Sequence, residues 1–337
     1  MKDSKHLLQY VQDFFIDHLR AHRGLSDHTI TSYRDTLKLF LAYVAKRADK
    51  QSTQLSLDDL QAEKVLSFLD DVESTRKNSV MTRNIRLAAL RTFFRYLASQ
   101  DPLRAGQYQR VVAIPLKRGP RPAIEYLEIN EVKAILETID RKAAEGRRDY
   151  ALISFLYNTG SRVQEVADLR VENLRLATPP IAIITGKGRK TRHVPLWAET
   201  ASLLQVHINE RGIIEKPQAP LFVNARGEPL SRFGIRYIIR SRVKAASQQC
   251  ISLQSKRVSP HTFRHSTAMH LLQSGVDLAV IKSWLGHVNL ATTHGYVEID
   301  LEMKRKALSA CNPPGNSEQL HQIIDQHKDV IRWLESL

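Results

Sequence analysis

The sequence predicts a mainly α-helical protein with a small antiparallel β-sheet, an α+β fold in which an N-terminal helical bundle precedes a second domain. Three observations support this prediction. Apolar residues recur at helical spacing through most of the first 110 residues. A basic segment rich in Pro and Gly follows. Further along, a β-branched run, a Gly-Lys-Gly turn and a returning run predict a β-hairpin.

Length and composition indicate two globular domains. The chain has 337 residues, of which 42% are apolar and 25% charged. No apolar run approaches the roughly 20 residues of a membrane span. The N-terminus lacks a signal-peptide core, so we expect a cytoplasmic protein that does not bind membranes. The two cysteines are far apart in sequence, which argues against a disulfide framework and a Cys-based zinc site.

Charge points to a polyanionic partner. Lys and Arg number 50 against 35 Asp and Glu, for a net charge of +15. The cations are spread along the whole chain and do not form a basic tail. On charge alone, nucleic acid ranks first as the partner and an anionic membrane second; we expect nucleic acid and no membrane partner.

Residues 1–113 are predicted to form the helical bundle. Segments 26–44 and 79–98 carry apolar stripes at helical spacing, with Ile85 among the residues expected to face inward. Arginines of the second segment lie broadly on the opposite face. Contact with nucleic-acid phosphates is favoured there over a merely solvated surface. The candidate DNA-binding residues of this helix are Arg83, Arg86, Arg91 and Arg95.

Residues 114–125 are a linker by composition, with three Pro, one Gly and three cations, and residues 126–312 form the second domain. Its apolar helix near 148–158 is broken at Gly160. Arg162 then lies where a new helix begins, at the positive end of the helix dipole. Glu165, three residues later, can hydrogen-bond and orient a catalytic partner, or it is an ordinary first-turn acid.

A β-hairpin is predicted between Ile181 and Leu196. Its tip carries Lys187, Arg189 and Lys190, which can reach into a DNA groove or serve only as a solubilising turn. Further along, cationic and apolar residues alternate over 232–244. This pattern predicts a helix that packs on the core and exposes its basic face.

The most informative stretch begins at Ser259-Pro260, a pair typical of a helix start. His261 and Arg264 then lie on one face of the first two turns. An imidazole, a guanidinium and a helix N-terminus directed at one point suit an anionic oxygen cluster, most simply a phosphate. A zinc pair formed by His261 and His265 is a weaker interpretation, because no third ligand is evident.

Two further residues extend this phosphate site. A second helix is predicted to begin at Asp277 and to end at Gly286, and His287 follows directly. Tyr296 comes nine residues later, in a third short helix capped by Asn289. A phenol oxygen becomes a nucleophile when neighbouring cations stabilise the phenolate.

These blocks closely resemble the tyrosine recombinases of the lambda-integrase and Xer group. The blocks are His261-Thr-Phe-Arg264-His265, then Leu285-Gly286-His287, then Tyr296. The segment from Gly160 to Glu165 is similar to the family's first arginine motif, with Ser161 where Leu is common. The resemblance implies that residues 1–113 are a core-DNA-binding domain and that 126–312 are a catalytic DNA breaking-rejoining domain.

The resemblance also implies the reaction. The chain would be a site-specific recombinase that cuts and rejoins duplex DNA through a 3′-phosphotyrosyl intermediate, acting in integration, transposition or dimer resolution. The implied catalytic set is Arg162, Lys187, His261, Arg264, His287 and Tyr296, with Glu165 in support. Because a phosphotyrosine keeps the energy of the phosphodiester, no cofactor and no metal are expected.

Each catalytic residue has an expected role. The two arginines and His287 would donate to phosphate oxygens, and Tyr296 would be the nucleophile. Lys187 would protonate the leaving 5′ oxygen, with Lys190 as its rival in the same loop. His261 would act on Tyr296 as a general base or by positioning it.

The resemblance further implies a homo-tetramer on two duplexes. Residues 313–337 form a predicted tail helix beyond Asn312-Pro313-Pro314-Gly315, which docks either on its own domain or, with slight preference, on a neighbouring protomer. Two alternative functions stay open at this point. One is a type IB topoisomerase-like enzyme and the other is a non-catalytic DNA-binding regulator.

Overall fold

The computed structural model describes residues 6–119, 124–186, 188 and 190–286. The chain divides into two compact units at Pro122/Ala123. The helices of the N-terminal unit are α1 (Leu7–Asp13, continued by the π-helical segment Phe14–His22), α2 (Asp27–Arg47), α3 (Ala62–Ser74), α4 (Val80–Gln100) and α5 (Ala105–Ala113). None of the helices in these described ranges has the length and apolar character needed to cross a bilayer.

The N-terminal unit is a helical bundle around an aromatic core, as the apolar stripes predict. Phe14, Phe40, Phe93 and Phe94 are each at most 1% exposed, and Phe14 and Phe93 meet edge to face. The Ser79 side chain accepts a hydrogen bond from the backbone N–H of Thr82, which fixes the start of α4.

One expectation for α4 is wrong. Ile85, expected to face inward, is 51% exposed, whereas Arg83, expected to face outward, is only 7% exposed. The buried stripe of this helix includes Leu87, Leu90, Phe94 and Leu97, and Arg83 lies one turn before Leu87 on the same face. The Arg83 charge is accommodated there because Glu73 lies 3.5 Å from its guanidinium.

The C-terminal unit is helical with one small sheet. Its helices are α6 (Ile129–Glu137), α7 (Ala144–Thr159), α8 (Val163–Ala167), α9 (Ala198–Glu210), α10 (Arg232–Ala246), α11 (Pro260–Gln273) and α12 (Leu278–Leu285). Its strands are β1 (Leu174–Arg175), β2 (Ile181–Thr185) and β3 (Thr191–Pro195), antiparallel in the order β1-β2-β3. The predicted hairpin is present as β2 and β3.

Helix α7 is the centre of this unit, because its apolar residues are buried on all sides and it packs against α9 and α11. Asn158, near the end of α7, is 1% exposed and holds the segment that follows β3 in place. Its side chain accepts a hydrogen bond from Trp197 N–H at 2.9 Å and donates one to the Pro195 carbonyl at 3.2 Å.

Hairpin register decides which side chains of β3 face the core. Ala182 pairs with Val194 and Ile184 pairs with Arg192. Since side chains two residues apart share a face, Arg192 lies on the same inward side as the fully buried Val194. The face of β3 that packs on the core therefore contains an arginine.

Contacts with the start of the unit hold the N-terminal end of α11 in place. Lys256 Nζ donates to Glu131 Oε2 at 2.6 Å and to the Tyr126 carbonyl at 2.9 Å. Ser266 Oγ accepts from Leu127 N–H at 2.8 Å. These bonds fix both the loop before α11 and its second turn, so the residues of the first turn have a defined position.

Candidate active site

The predicted helix start at Ser259-Pro260 is confirmed. Pro260 is the first residue of α11, and Thr262 Oγ1 accepts a hydrogen bond from the backbone N–H of Ser259 at 3.0 Å. His261 in the first turn is exposed at the surface, whereas Arg264 in the second turn points inward and is 3% exposed.

Arg264 connects two distant segments through backbone carbonyls. Its Nη1 donates to the Gly160 carbonyl at 2.7 Å, and its Nη2 donates to the Leu285 carbonyl at 2.5 Å. The first acceptor lies two residues before Arg162, and the second lies two residues before His287 in the sequence. Arg264 therefore joins the first arginine motif to the end of α12.

Gly160 and Gly286 permit this close approach. Gly160 ends α7 with φ 59°, and a Cβ there would lie 2.6 Å from Leu285 Cδ2. Gly286 ends α12 with φ 63°, and a Cβ there would lie 3.2 Å from Arg192 Cδ. A side chain at either position would be strained by the left-handed backbone and would push these segments apart.

Arg162 precedes the first residue of α8, as the sequence predicts, and its side chain is 35% exposed. Its backbone N–H donates to Glu165 Oε2 at 2.8 Å, and its Nη1 donates to Glu165 Oε1 at 2.9 Å. Glu165 is thus buried and hydrogen-bonded to Arg162, unlike an ordinary exposed first-turn acid.

Arg192 is a site residue that the sequence interpretation missed. Its Nη2 donates to Glu165 Oε2 at 2.7 Å, its Nη1 to Glu165 Oε1 at 3.2 Å, and its Nε to the Trp284 carbonyl at 2.9 Å. The side chains of Arg192 and Glu165 are 9% and 5% exposed. The available signal was the strand alternation, which puts Arg192 in phase with the apolar Val194.

The charge state of Glu165 follows from these contacts. Burial raises the pKa of its carboxyl, but the hydrogen bonds and charges of Arg192 and Arg162 hold the pKa below its usual value. Glu165 is therefore ionised at neutral pH, as a carboxylate shared by two guanidiniums.

The two histidines of α11 have the opposite electrostatic environment. Partial desolvation, followed by the charges of Arg264, Arg162 and Arg236, lowers the pKa of His261. Burial, with contributions from His261 and Arg264, lowers the pKa of His265 to about 4. Both rings are neutral at pH 7, and their centroids are 6.4 Å apart.

A zinc pair gains no support from this geometry. Within residues 6–119, 124–186, 188 and 190–286, no third His, Cys, Asp or Glu joins these two rings in a metal-binding group.

Of the predicted catalytic residues, the structure brings Arg162, His261 and Arg264 together with Glu165. Lys190 is exposed, and its carbonyl accepts a hydrogen bond from Gly186 N–H at 2.9 Å, which closes the hairpin tip. Four predicted site residues lie outside the described residues, as does the tail 313–337. They are Lys187, Arg189, His287 and Tyr296.

The four arginines predicted to bind DNA differ in exposure. Arg83 is buried beside Glu73, and Arg91 is half-buried and donates to the Ile114 carbonyl. Arg86 is half-buried, and burial followed by the charge of Arg76 lowers its pKa. Arg95 is exposed.

Comparison with known proteins gives the class of protein that the sequence motifs resemble. Residues 125–303 match the phage integrase family model, and residues 13–101 match the model of the phage integrase N-terminal SAM-like domain. The chain is 40% identical over 333 residues to a putative integrase/recombinase of Sinorhizobium fredii, covering 98% of both chains. It is 31% identical over 317 residues to the tyrosine recombinase XerC of Pelobacter propionicus, covering 93% of this chain and 98% of that one.

Solved structures agree. The XerH site-specific recombinase bound to a palindromic difH substrate, in a post-cleavage complex, matches with a TM-score of 0.67 and 26% identity over 83% of this chain and 79% of that one. The integrase of transposon Tn1549 shares the fold, with a TM-score of 0.70 and 16% identity over 90% of this chain and 98% of that one.

The fold and the site define a tyrosine recombinase, an enzyme that breaks and rejoins DNA, as the three motif blocks predict. The chain belongs to the phage integrase family. The expected fold class, enzyme class and family are confirmed, and neither alternative function has comparable support.

Proposed function

We propose that this protein recombines duplex DNA at a specific site, with Tyr296 as the nucleophile that forms a 3′-phosphotyrosyl intermediate. One observation carries the proposal. A set of hydrogen bonds that includes the half-exposed Arg162 links the start of α8, Arg264 of α11 and the last turn of α12, and the exposed His261 lies one turn before Arg264.

The chemistry of this site suits a phosphodiester. Arg162, at the N-terminus of α8, offers a forked cation to the non-bridging oxygens on which charge develops. His287 follows the turn that Arg264 holds in place, and we assign it a further donor role. Arg264 contributes its charge and fixes the segments that carry the other donors.

Proton transfer is assigned to His261 and the hairpin tip. Because the pKa of His261 is lowered, its ring is neutral at pH 7 and can accept the proton of Tyr296 as a general base. Lys187 is the proposed general acid for the leaving 5′ oxygen, with Lys190 as the alternative in the same loop. Neither step requires a cofactor or a metal.

The proposed DNA-binding surface of the C-terminal unit is the outer face of α10. Phe233 and Tyr237 are 63% and 75% exposed there, between the exposed cations Arg236, Arg240 and Lys244. Arg236 contributes to lowering the His261 pKa, so this face lies on the same side as the site. In the N-terminal unit, Arg95 and Arg86 are the proposed phosphate contacts, and Arg189 is a further one at the hairpin tip.

The proposed assembly is a homo-tetramer on two duplexes, in which the tail 313–337 docks on a neighbouring protomer. The XerH structure is a complex with its difH substrate, which supports duplex DNA as the substrate of this chain. The relatives carry integrase, recombinase and XerC names, so integration, transposition and dimer resolution are all within the proposal.

Trapping covalent adducts tests this function. Sheared genomic DNA of the source organism is incubated with the purified protein, the reaction is stopped with detergent, and the protein-linked fragments are sequenced. We expect a defined sequence to be enriched, and a nicked duplex of that sequence to give a stable covalent adduct. Tyr296→Phe should abolish the adduct, whereas Tyr150→Phe, a half-buried tyrosine of α7, should retain it. An adduct that persists in Tyr296→Phe would refute the assignment.

Strand exchange then separates recombination from relaxation. Two differently labelled duplexes that carry the recovered sequence should yield joint products. Relaxation of supercoiled DNA without exchanged products would indicate a topoisomerase-like enzyme instead.

A further inference from the structure

Arg192 links three segments that the proposed reaction must hold in register, namely its own strand β3, the start of α8 and the end of α12. It belongs to β3, the strand that returns from the hairpin tip carrying Lys187 and Lys190. It donates twice to Glu165 in the first turn of α8 and once to Trp284 in the last turn of α12. Its aliphatic part lies against Gly286, the residue before His287.

The contact with Glu165 determines how Arg162 is used. A carboxylate can accept two parallel hydrogen bonds from one guanidinium. Here Arg192 occupies both oxygens of Glu165 with its two terminal nitrogens, and the side-chain bond from Arg162 to Glu165 runs through Nη1 alone. Glu165 therefore orients Arg162 through one guanidinium nitrogen and does not form a two-bond pair with its guanidinium.

Without Arg192, a 5% exposed carboxylate would have lost its stronger partner. A buried, under-compensated charge is costly, and the nearest remaining guanidinium is that of Arg162. Glu165 would then recruit the whole fork of Arg162, and the fork would be turned away from the surface.

We propose that Arg192 is a positioning residue of the strand-cleavage reaction, which saturates Glu165 so that the Arg162 fork is left for the scissile phosphate and which fixes the turn preceding His287. This inference rests on the proposed recombinase function. It assigns Arg192 no contact with DNA, so its loss should affect the cleavage step and not DNA binding.

The test is single-turnover cleavage of the nicked duplex together with DNA affinity. Arg192→Met should reduce the cleavage rate by about 100-fold, the order expected when a catalytic group is displaced by about 1 Å. The dissociation constant for the same duplex should change by less than about threefold, since uniform binding is not removed. Arg175→Met, an exposed arginine on β1 of the same sheet, is the matched control and should cleave like the wild type.

A second-site variant separates positioning from simple support of the fold. In Arg192→Met/Glu165→Gln, no buried carboxylate is left to capture Arg162, so cleavage should recover about tenfold relative to Arg192→Met, a non-additivity typical of residues in direct contact. Because Glu165→Gln also removes an under-compensated buried charge and so restores stability, both variants are compared at a temperature at which thermal unfolding shows them to be fully folded. If Arg192 only stabilised the fold, the two folded variants would cleave alike under these conditions, and that result would overturn the inference.

Arg192→Lys covers the case in which Arg192→Met does not fold. Lysine keeps the charge but lacks the planar fork that binds two carboxylate oxygens and the Trp284 carbonyl together. We expect a melting temperature close to that of the wild type with cleavage reduced at least about tenfold. Wild-type cleavage by Arg192→Lys would overturn the inference. Absence of cleavage by both the wild type and Arg175→Met would refute the proposed function itself.

Discussion

Both units of this protein bury arginines, but they use them in different ways. In the N-terminal unit, Arg83 lies 3.5 Å from Glu73, and Lys117 pairs with the same carboxylate at 3.0 Å. Arg91 donates to the Ile114 carbonyl after α5. These contacts join α3, α4 and the segment after α5.

In the C-terminal unit, the buried Arg192 and Arg264 hold the segment that carries the partly exposed Arg162. Arg192 shares Glu165 with Arg162, whose side chain is 35% exposed, and Arg264 holds the Gly160 carbonyl just before that residue. Each of these carboxylates therefore binds a buried arginine and a more exposed cation, so this arrangement alone does not mark a site. What differs is the second cation: Glu73 binds the single ammonium of Lys117, whereas Glu165 orients the forked guanidinium of Arg162 at the start of α8. Burial of an arginine alone does not distinguish the two cases.

Replacing Arg162, the most exposed member of the Arg192–Glu165–Arg162 network, should have the largest effect on cleavage. Arg162→Gln removes one forked donor to the phosphate, and we expect single-turnover cleavage to fall on the order of 100-fold. The melting temperature should change little, because Glu165 keeps both hydrogen bonds from Arg192. Cleavage of a nicked duplex and thermal unfolding, measured on one preparation, check both parts. Unfolding of the variant at a much lower temperature would show that Arg162 supports the fold, as Arg83 does.

Breaking the Arg83–Glu73 pair of the N-terminal unit should have the opposite effect, a loss of stability without a loss of DNA binding. Arg83→Met leaves the largely buried Glu73 with Lys117 alone, and we expect the free energy of unfolding to fall by about 1–3 kcal/mol. Denaturant titration measures this change, and Arg95→Met, an exposed residue of the same helix, is the control for stability. Folded Arg83→Met should bind DNA like the wild type. Weaker DNA binding without a loss of stability would place Arg83 on the DNA surface after all.

Sequence patterns predicted most of the fold and the motif part of the site. Helical periodicity located α2, α4, α7 and α10, and the Ser259-Pro260 pair located α11. These predictions of helix position succeed because caps and apolar stripes are local signals. The two-residue strand β1 was missed, since a pair of residues has no periodicity and owes its strand conformation to pairing with β2.

Two errors concern arginines, and they have one physical cause. Because an arginine is costly to bury alone, Arg83 is predicted on the outer face of its helix, and no role is assigned to Arg192 from the sequence. Arg83 and Arg192 are buried because Glu73 and Glu165 come from elsewhere in the chain. Likewise, the bonds from Arg264 to Gly160 and Leu285 depend on how α7, α11 and α12 pack. Partners distant in sequence leave no local pattern.

Buried histidines in both units predict how the stability of the protein depends on pH. Burial, followed by the charges of Arg23 and His22, lowers the pKa of His18 in the N-terminal unit. In the C-terminal unit, burial with His261 and Arg264 lowers the pKa of His265 to about 4. Since an unfolded histidine titrates near 6.5, the unfolded chain binds more protons than the folded one between about pH 4 and 6.5. Stability should therefore rise with pH across that window and level off above it.

Replacing His265 should flatten this dependence. In His265→Asn, we expect the difference in unfolding free energy between pH 7.5 and pH 5 to shrink, because one group that takes up a proton on unfolding is gone. The rest of this difference in unfolding free energy should persist, since the pKa values of His18 and His261 are also lowered. Denaturant titrations at several pH values measure the slope, with His193→Asn, an exposed residue of β3, as the control. An unchanged slope in His265→Asn would mean that His265 keeps its ordinary pKa, and the environment around the start of α11 would then be less desolvated than its contacts with His261 and Arg264 indicate.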